Sequence, residues 1–404
     1  MYDSLVKIYY RNEAAHAKTY EERYKSPSSV HLGVLIRQFN HKKEYPAFYS
    51  SNQEIVLSLE EVYSSLMEFL NILPKLTLAV LNQYALSCIV EEVHSTSDIE
   101  GIHSTYRELR EILDGISKKS HFSSIMKKYD FLLSGEYPRF ESCEDVRNFY
   151  DEFNHVDAIA ENPSNLLDGN IFRKDGVDVK GASGKTIHRG VEPEEKIIKY
   201  LTESLRFLNS EEYPALIRIA VFHYLFVYIH PFYDGNGRTG RFISSSYIAQ
   251  HLHTLVGLRL SSTIKKNKTK YYRLLKETDA EVNCGDLTPF IEGFLQFIAS
   301  TQKEMNQQLR HKIKQLERMK EKICAVYPDD EEIRKLAWSI VQRSVFYGSG
   351  ASMTELMSET GKTRNTLKSK ISSMPLSISV RHKTKYYKID WSELMKRYKS
   401  LKEK

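Results

Sequence analysis

Apolar residues recur along most of this chain at intervals of three and four, the period of α-helices buried on one side. Leu78, Val80, Leu81, Leu86, Ile89 and Val93 keep roughly that spacing, and Gly101 is a natural stop. Before them, "YPAFYSSNQ" reads as a strand or loop, followed by an amphipathic helix from about Ser58. The pattern is helical between about 105 and 165, most clearly in "DVRNFYDEFNHVDAIA". "IAVFHYLFVYI", Ile219 to Ile229, is apolar on all sides, which predicts a helix buried all round but too short to span a bilayer. Further helices are expected at about 236–255, 267–280 and 287–320, with a charged connecting helix over 303–323. Residues 1 to about 30 are polar and rich in Tyr, Lys and Glu, and are expected to form a loosely ordered lead-in.

The helical texture breaks twice. "DGNIFRKDGVDVKGASGKTIHRGVEPEE", from Asp168, is rich in glycine and charge and holds short β-type runs at Ile171–Arg173, Val177–Val179 and Thr186–Arg189. These predict a β-hairpin flap around a glycine-containing turn. Its "GASGKT" is no phosphate loop, because Val179 stands where that motif needs its first glycine. The second break follows residue 330. Ser352-Met353-Thr354-Glu355 is a capping box, Gly361 a turn, "TRNTLKSKISSM" a short helix, and "LSISVRHKTKYYKID" two strands around a basic turn. That order is the one found in winged helices. The fold class is therefore mainly α: a helical core with a β-hairpin flap, plus a C-terminal winged helix-turn-helix domain. The expected divisions are an N-terminal helical region over 1–104, a core over 105–300, a helical linker over 301–329 and the winged-helix domain over 330–404.

Composition changes this picture in one place. The 404 residues are 41% hydrophobic and 27% charged, ordinary for a globular chain. Of 58 basic and 52 acidic residues, 16 and 7 lie from Glu331 onward, a net of +9. The first 330 residues hold the remaining 42 and 45, a net of −3. The basic excess belongs to the last lobe, as in nucleic-acid binders and in solvated lysine-rich tails alike. No pair of cysteines among 88, 143, 284 and 324 has CxxC spacing, which argues against a zinc site or disulfide framework and for a reducing compartment. "MYDSLVKIYYRNEAAHAK" has no apolar signal core, so the expected location is cytoplasmic, with no membrane partner.

The chemistry concentrates in "HPFYDGNGRTGR", residues 230 to 241. Pro231 ends the apolar helix, Gly235 and Gly237 permit positive φ or close backbone approach, and a second helix follows. Such a bend aims several N–H groups and the positive end of a helix dipole into one concavity, an anion site. Arg238 and Arg241 share a face of the new helix and suit a polyanion. Asp234 is a hard oxygen ligand that can share Mg²⁺ with nucleotide phosphates. His230 can take a proton from an attacking hydroxyl near neutral pH. Phe232 is expected to point inward and anchor the loop. Singly, His230 would cap a helix, Asp234 would sit in a turn and the arginines would be solvated. As a cluster, they describe transfer of a phosphorus-containing group from a nucleotide to a hydroxyl.

This stretch matches the HPFx(D/E)GNGRxxR motif of Fic-domain proteins in full, and residues from about 30 to 300 resemble the N-terminal and core portions of that family. The resemblance implies a helical core with a hairpin flap, and AMPylation, the transfer of AMP from ATP to a Ser, Thr or Tyr hydroxyl of a protein with Mg²⁺. It implies His230 as base, Asp234 as Mg²⁺ ligand, Asn236 with the backbone of Gly235 and Gly237 on the α- and β-phosphates, Arg238 on phosphate, and Arg241 on the γ-phosphate. "TIKKNKTKYYRLLKETD" resembles the family's nucleotide-side helix, with Asn267, Tyr271 and Tyr272 at corresponding places; the tyrosines pack on adenine or are core. The hairpin with Thr186, Ile187 and His188 resembles the flap that docks a target as an added strand. The related Doc toxins phosphorylate their targets and depart from the motif near its second glycine; Gly237 is intact here, which favours AMP transfer.

"STSDIEGI", Ser95 to Ile102, resembles the family's inhibitory motif (S/T)xxxE(G/N) at Thr96, Glu100 and Gly101. The resemblance implies that Glu100 pairs with Arg241, displaces the γ-phosphate and blocks productive ATP binding, and that the brake is an N-terminal intramolecular helix. Whether the reverse reaction, removal of AMP, also occurs is left open. In the last lobe, Arg364, Lys368 and Lys370 decorate the second helix and Arg381 the wing, a tentative DNA-binding set. The leading expectation is thus a self-inhibited protein adenylyltransferase acting on itself and on an unidentified target protein. The alternative is a DNA-binding transcriptional regulator with a nucleotide-sensing Fic core. A homodimer stays open.

Overall fold

The computed structural model describes residues 2–113, 122–153, 162–181, 184–347, 350–381 and 384–402. The chain divides into two units, one of residues 1–66 and 86–302, the other of 67–85 and 303–404.

The first unit begins with two helices, α1 (Leu5–Arg11) and α2 (Glu13–Tyr24), where the sequence suggested a loose lead-in. Each has a side-chain N-cap: Ser4 accepts the Lys7 N–H, and Asn12 accepts that of Ala15. Long-range contacts hold them. Tyr2 Oη donates to buried Asp286 at 2.7 Å, and a His16 ring nitrogen meets the Val282 carbonyl at 2.6 Å. A hairpin follows, β1 (Ser29–Ile36) antiparallel to β2 (Tyr45–Ser50).

Helix α3 (Gln53–Ile72) starts five residues before the expected Ser58, because Asn52 Oδ1 caps the Ile55 N–H at 2.8 Å. Helix α4 (Leu78–Ile99) ends at Gly101, whose φ of +79° is open to glycine and strained for other residues. Helices α5 (Tyr106–Leu113), α6 (Phe122–Leu133) and α7 (Cys143–Phe153) follow. Residues 154–160 of the amphipathic stretch quoted above lie outside the described residues.

The flap is a hairpin of β3 (Asp178–Lys180) and β4 (Thr186–Arg189), antiparallel with a register shift at Val179/Lys180. Residues Ile171–Arg173 form no strand, because their backbone N–H groups serve the Glu194 carboxylate and the Pro231 carbonyl instead of a ladder. Beyond it run α8 (Glu194–Leu208), α9 (Ala215–Ile229), α10 (Asn236–His251), α11 (Thr254–Gly257), α12 (Leu260–Lys266) and α13 (Lys268–Asp279). Helix α9 is the buried axis, with all but Ala215 and Val227 buried. Gly240 lets α10 lie against it, since a Cβ there would come within 2.7 Å of Phe226 Cδ1.

The long helix α14 (Thr288–Val326) leads into the second unit. Its elements run α15 (Glu331–Tyr347), β5 (Ala351–Ser352), α16 (Met353–Thr360), α17 (Arg364–Ser372), β6 (Leu376–Arg381), β7 (Thr384–Ile389) and α18 (Trp391–Lys402), with sheet order β5-β7-β6. Ser352 and Glu355 form the capping box, and Gly361 caps α16 at φ +65°. Among the described residues, no helix is long and apolar enough to cross a membrane.

Candidate active site

Residues 230 to 241 form the bend between α9 and α10. His230 closes α9 in the left-handed region, φ 53° and ψ 62°. That conformation costs an L-residue roughly 1–2 kcal/mol, so its surroundings must impose it. Phe232 is fully buried and stacks on Tyr150 with ring centroids 3.7 Å apart. The Asn236 side chain staples the loop to itself: Oδ1 accepts the Phe232 N–H at 2.9 Å, and Nδ2 donates to the Phe232 carbonyl at 2.7 Å. Gly235 precedes α10 at φ +77°, so the helix and its first N–H groups begin directly at this bend.

The end of α4 meets this bend through Arg241. Arg241, 3% exposed, donates from Nε to Thr96 Oγ1 at 2.8 Å, from Nη2 to the Thr96 carbonyl at 3.1 Å, and from Nη2 to Glu100 Oε1 at 2.7 Å. The Glu100 carboxylate lies over Gly237: a Cβ on that glycine would collide with Oε1 and stand 2.7 Å from Arg241 Nη1. Burial works against ionisation of Glu100, but the Arg241 charge and hydrogen bond hold its carboxyl below the ordinary range. The same pair raises Arg241 against its own desolvation.

Helix α4 is fastened to the core both upstream of that contact and within it. Fully buried Glu92 accepts the N–H groups of Ser261 at 2.7 Å and Ser262 at 3.2 Å, capping α12 from outside. Glu91 pairs with Arg259, and Asp98 with Lys265 at 3.1 Å. Sequence reasoning missed Glu92, which looks like any acid on a helix until its face is known.

The His230 ring is part-buried, and its Nδ1 lies 3.2 Å from the Val227 carbonyl. The N–H therefore sits on Nδ1, leaving the Nε2 lone pair available. Burial, followed by the nearby His188, pulls the ring down to about 4, so it is neutral at pH 7. His188, expected to face a target, points inward instead. Its Nδ1 is 3.2 Å from Asp279 Oδ2 and its Nε2 is 2.7 Å from the Tyr228 carbonyl. Two acceptors require two N–H donors, so the imidazolium fits this position. Burial opposes its charge, and Asp279 raises it overall. Thr186 is half-buried and Ile187 is 54% exposed on the flap.

The two tyrosines on α13 part company. Tyr271 is 3% exposed and its hydroxyl donates to His223 at 2.9 Å; His223 in turn meets Ser244 Oγ at 2.9 Å. It belongs to the core. Tyr272 is 39% exposed, and after burial the Glu100 charge raises its hydroxyl. Asn267 joins α12 to α13, with Nδ2 donating to the Thr263 carbonyl at 3.0 Å.

Asp234 stands at the rim, 35% exposed at its side chain and 3.2 Å from Arg238 Nη2, itself buried. Among the described residues, no group of three or more acidic, histidine or cysteine side chains could hold a metal by itself. A single part-buried carboxylate paired with an arginine fits Mg²⁺ only as a co-ligand with phosphates and water.

Of the residues assigned to the last lobe, Arg364 and Lys368 are exposed on α17. Lys370 is engaged with Asp330 at 2.9 Å and Glu332 at 3.5 Å. The Arg381 side chain lies outside the described residues.

The bend between α9 and α10 thus gathers a buried arginine bonded to a carboxylate and, at its start, a histidine that burial holds neutral. Residues 143–248 match the Fic/DOC family. The chain is 37% identical over 89 residues to proteins named protein adenylyltransferase Fic from Drosophila erecta and Drosophila melanogaster. Each match covers 21% of this chain and 16% of the relative, so the chain spans about a sixth of those proteins. Its fold is similar to the crystal structure of a Fic family protein from Desulfovibrio desulfuricans G20, with TM-score 0.52, 18% identity, and coverage of 85% of this chain and 98% of that one.

Proposed function

We propose that this chain is a self-inhibited protein adenylyltransferase that transfers AMP from ATP to a Ser, Thr or Tyr hydroxyl of a protein, itself included, in the cytoplasm. The observation that carries the reading is the Glu100 carboxylate bonded to Arg241 above Gly237, an anion held in an anion site. In this account neutral His230 takes the proton of the target hydroxyl, whose oxygen attacks the α-phosphorus while pyrophosphate leaves. The N-terminal N–H groups of α10, Arg238 and Arg241 hold the phosphate charge. Mg²⁺ shared between Asp234 and the phosphates would neutralise leaving-group charge. The exposed flap strand with Ile187 offers the edge on which a target segment docks. Transfer of label from the α-phosphate of ATP to protein, dependent on His230, tests the reading.

A second reading concerns the last lobe, which we propose is a winged helix that contacts DNA through Arg364 and Lys368. It is favoured by the element order from α15 to β7 and by the net charge of +9. Lys370 is set apart, because its charge is already paired. Binding to duplex DNA that falls steeply with salt supports this reading; no binding at low salt removes it.

A further inference from the structure

Arg173 is 0% exposed, and among the described residues its side-chain bonds all go to backbone carbonyls. Nε donates to His230 O at 2.9 Å, Nη1 to Asp175 O at 2.7 Å, and Nη2 to Val191 O at 2.8 Å and Ile229 O at 3.3 Å. Two of these acceptors are among the last carbonyls of α9, which have no partner within the helix. A third lies just past the flap. The cation therefore sits at the negative end of the helix dipole and joins three pieces of chain: the lead-in to the flap, its exit, and the turn that bears His230. Gly190 leaves the room for this reach, since a Cβ there would collide with Nη2 and lie 3.0 Å from His230 Cβ.

We propose that Arg173 is the positioning residue of the site, holding His230 in its left-handed turn and locking that turn to the flap. The inference rests on the reading of His230 as the base. Charged or titratable groups acting on His230 come from the flap (His188), from the flap lead-in (Arg173) and from the end of α4 (Glu100). Arg173 thus has two separable effects. Its fork fixes the backbone, and its charge, like that of His188, disfavours a proton on His230. Lysine keeps the charge but offers one nitrogen to carbonyls that lie on different sides of it.

The test uses Arg173→Gln and Arg173→Lys in the full chain, each combined with Glu100→Gly. It reads labelling kinetics with ATP and the NMR titration of His230, assigned by the signal lost in His230→Gln. The expected result is a kcat lower by roughly a hundredfold in both variants, with KM for ATP changed by less than about twofold. The His230 midpoint rises in Arg173→Gln and stays in place in Arg173→Lys. Unchanged kcat in either variant, a rise in KM alone, or an unmoved midpoint in Arg173→Gln overturns the proposal. Should Arg173→Gln fail to fold, Arg173→Lys decides by its rate. Should Glu100→Gly label nothing, the transfer reading fails, and the titration still decides whether Arg173 acts on His230.

Discussion

Arg241 Nη2 lies 2.7 Å from Glu100 Oε1, and that oxygen rests against the face of Gly237, so the arginine that faces the cradle already holds an anion. Thr96 completes the grip from the same helix, with its hydroxyl and its carbonyl on one guanidinium. In the proposed function this carboxylate is a tethered competitor, which a nucleotide would have to displace against a high local concentration. Anchors at Glu91 and Glu92 keep the helix in place while the last turn, from Thr96 to Gly101, makes the contact.

The state of His230 gives a pH prediction. Its value of about 4 lies below that of an exposed histidine, near 6.5. The ring is thus already deprotonated through the neutral range, and activity in a Glu100→Gly background should stay level from pH 8 down to about 5, then fall below about 4. The linkage has the same direction. A histidine depressed in the fold takes up its proton first in the unfolded chain, so stability declines as pH falls from about 6.5 toward 4. A rate that halves near pH 6.5 would mean the base is solvated, contrary to this geometry.

Glu92 should couple stability to inhibition. Glu92→Ala leaves the N–H groups of Ser261 and Ser262 buried without their acceptor, a loss of about 1–3 kcal/mol. The expected outcome is a lower Tm together with labelling above that of the wild type, because α4 loses an anchor behind the proposed inhibitory contact. A lower Tm with labelling unchanged would show that the last turn holds Glu100 without help from Glu92.

Adjacent tyrosines should separate binding from packing. Tyr272→Ala in a Glu100→Gly background should raise KM for ATP by roughly tenfold, the cost of losing about 1–1.5 kcal/mol of ring contact. Tyr271→Phe should leave KM alone and cost about 1 kcal/mol of stability, from the hydrogen bond to His223. Paired measurements of KM and denaturant midpoint check both. Equal effects on KM would place both rings on the nucleotide.

Much of the site could be read from sequence because it is local. The 230–241 stretch carries its own bend, glycines and arginines, and a spacing of four from Thr96 to Glu100 puts both on one face of a helix. What escaped depends on contacts distant in the chain. The helices over residues 5–24 are short, and the contacts of Tyr2 and His16 that hold them are with residues 282–286. Arg173, followed at once by Lys174, looks like any basic residue of a glycine-rich loop until four carbonyls converge on it. Tyr271 and Tyr272 are one helical step apart, about 100° around the axis, and packing against His223 decides which is core. The inward turn of His188 depends on strand parity in a hairpin whose register shifts midway.

The most direct test incubates wild type, Glu100→Gly and Glu100→Gly/His230→Ala with Mg²⁺ and ATP labelled at either the α- or the γ-phosphate. The account predicts label on protein from the α-phosphate alone, stronger in Glu100→Gly than in wild type by roughly tenfold or more, equivalent to about 1.4 kcal/mol of relieved competition, and absent in the double variant. Label from the γ-phosphate, or Glu100→Gly no more active than wild type, would contradict it.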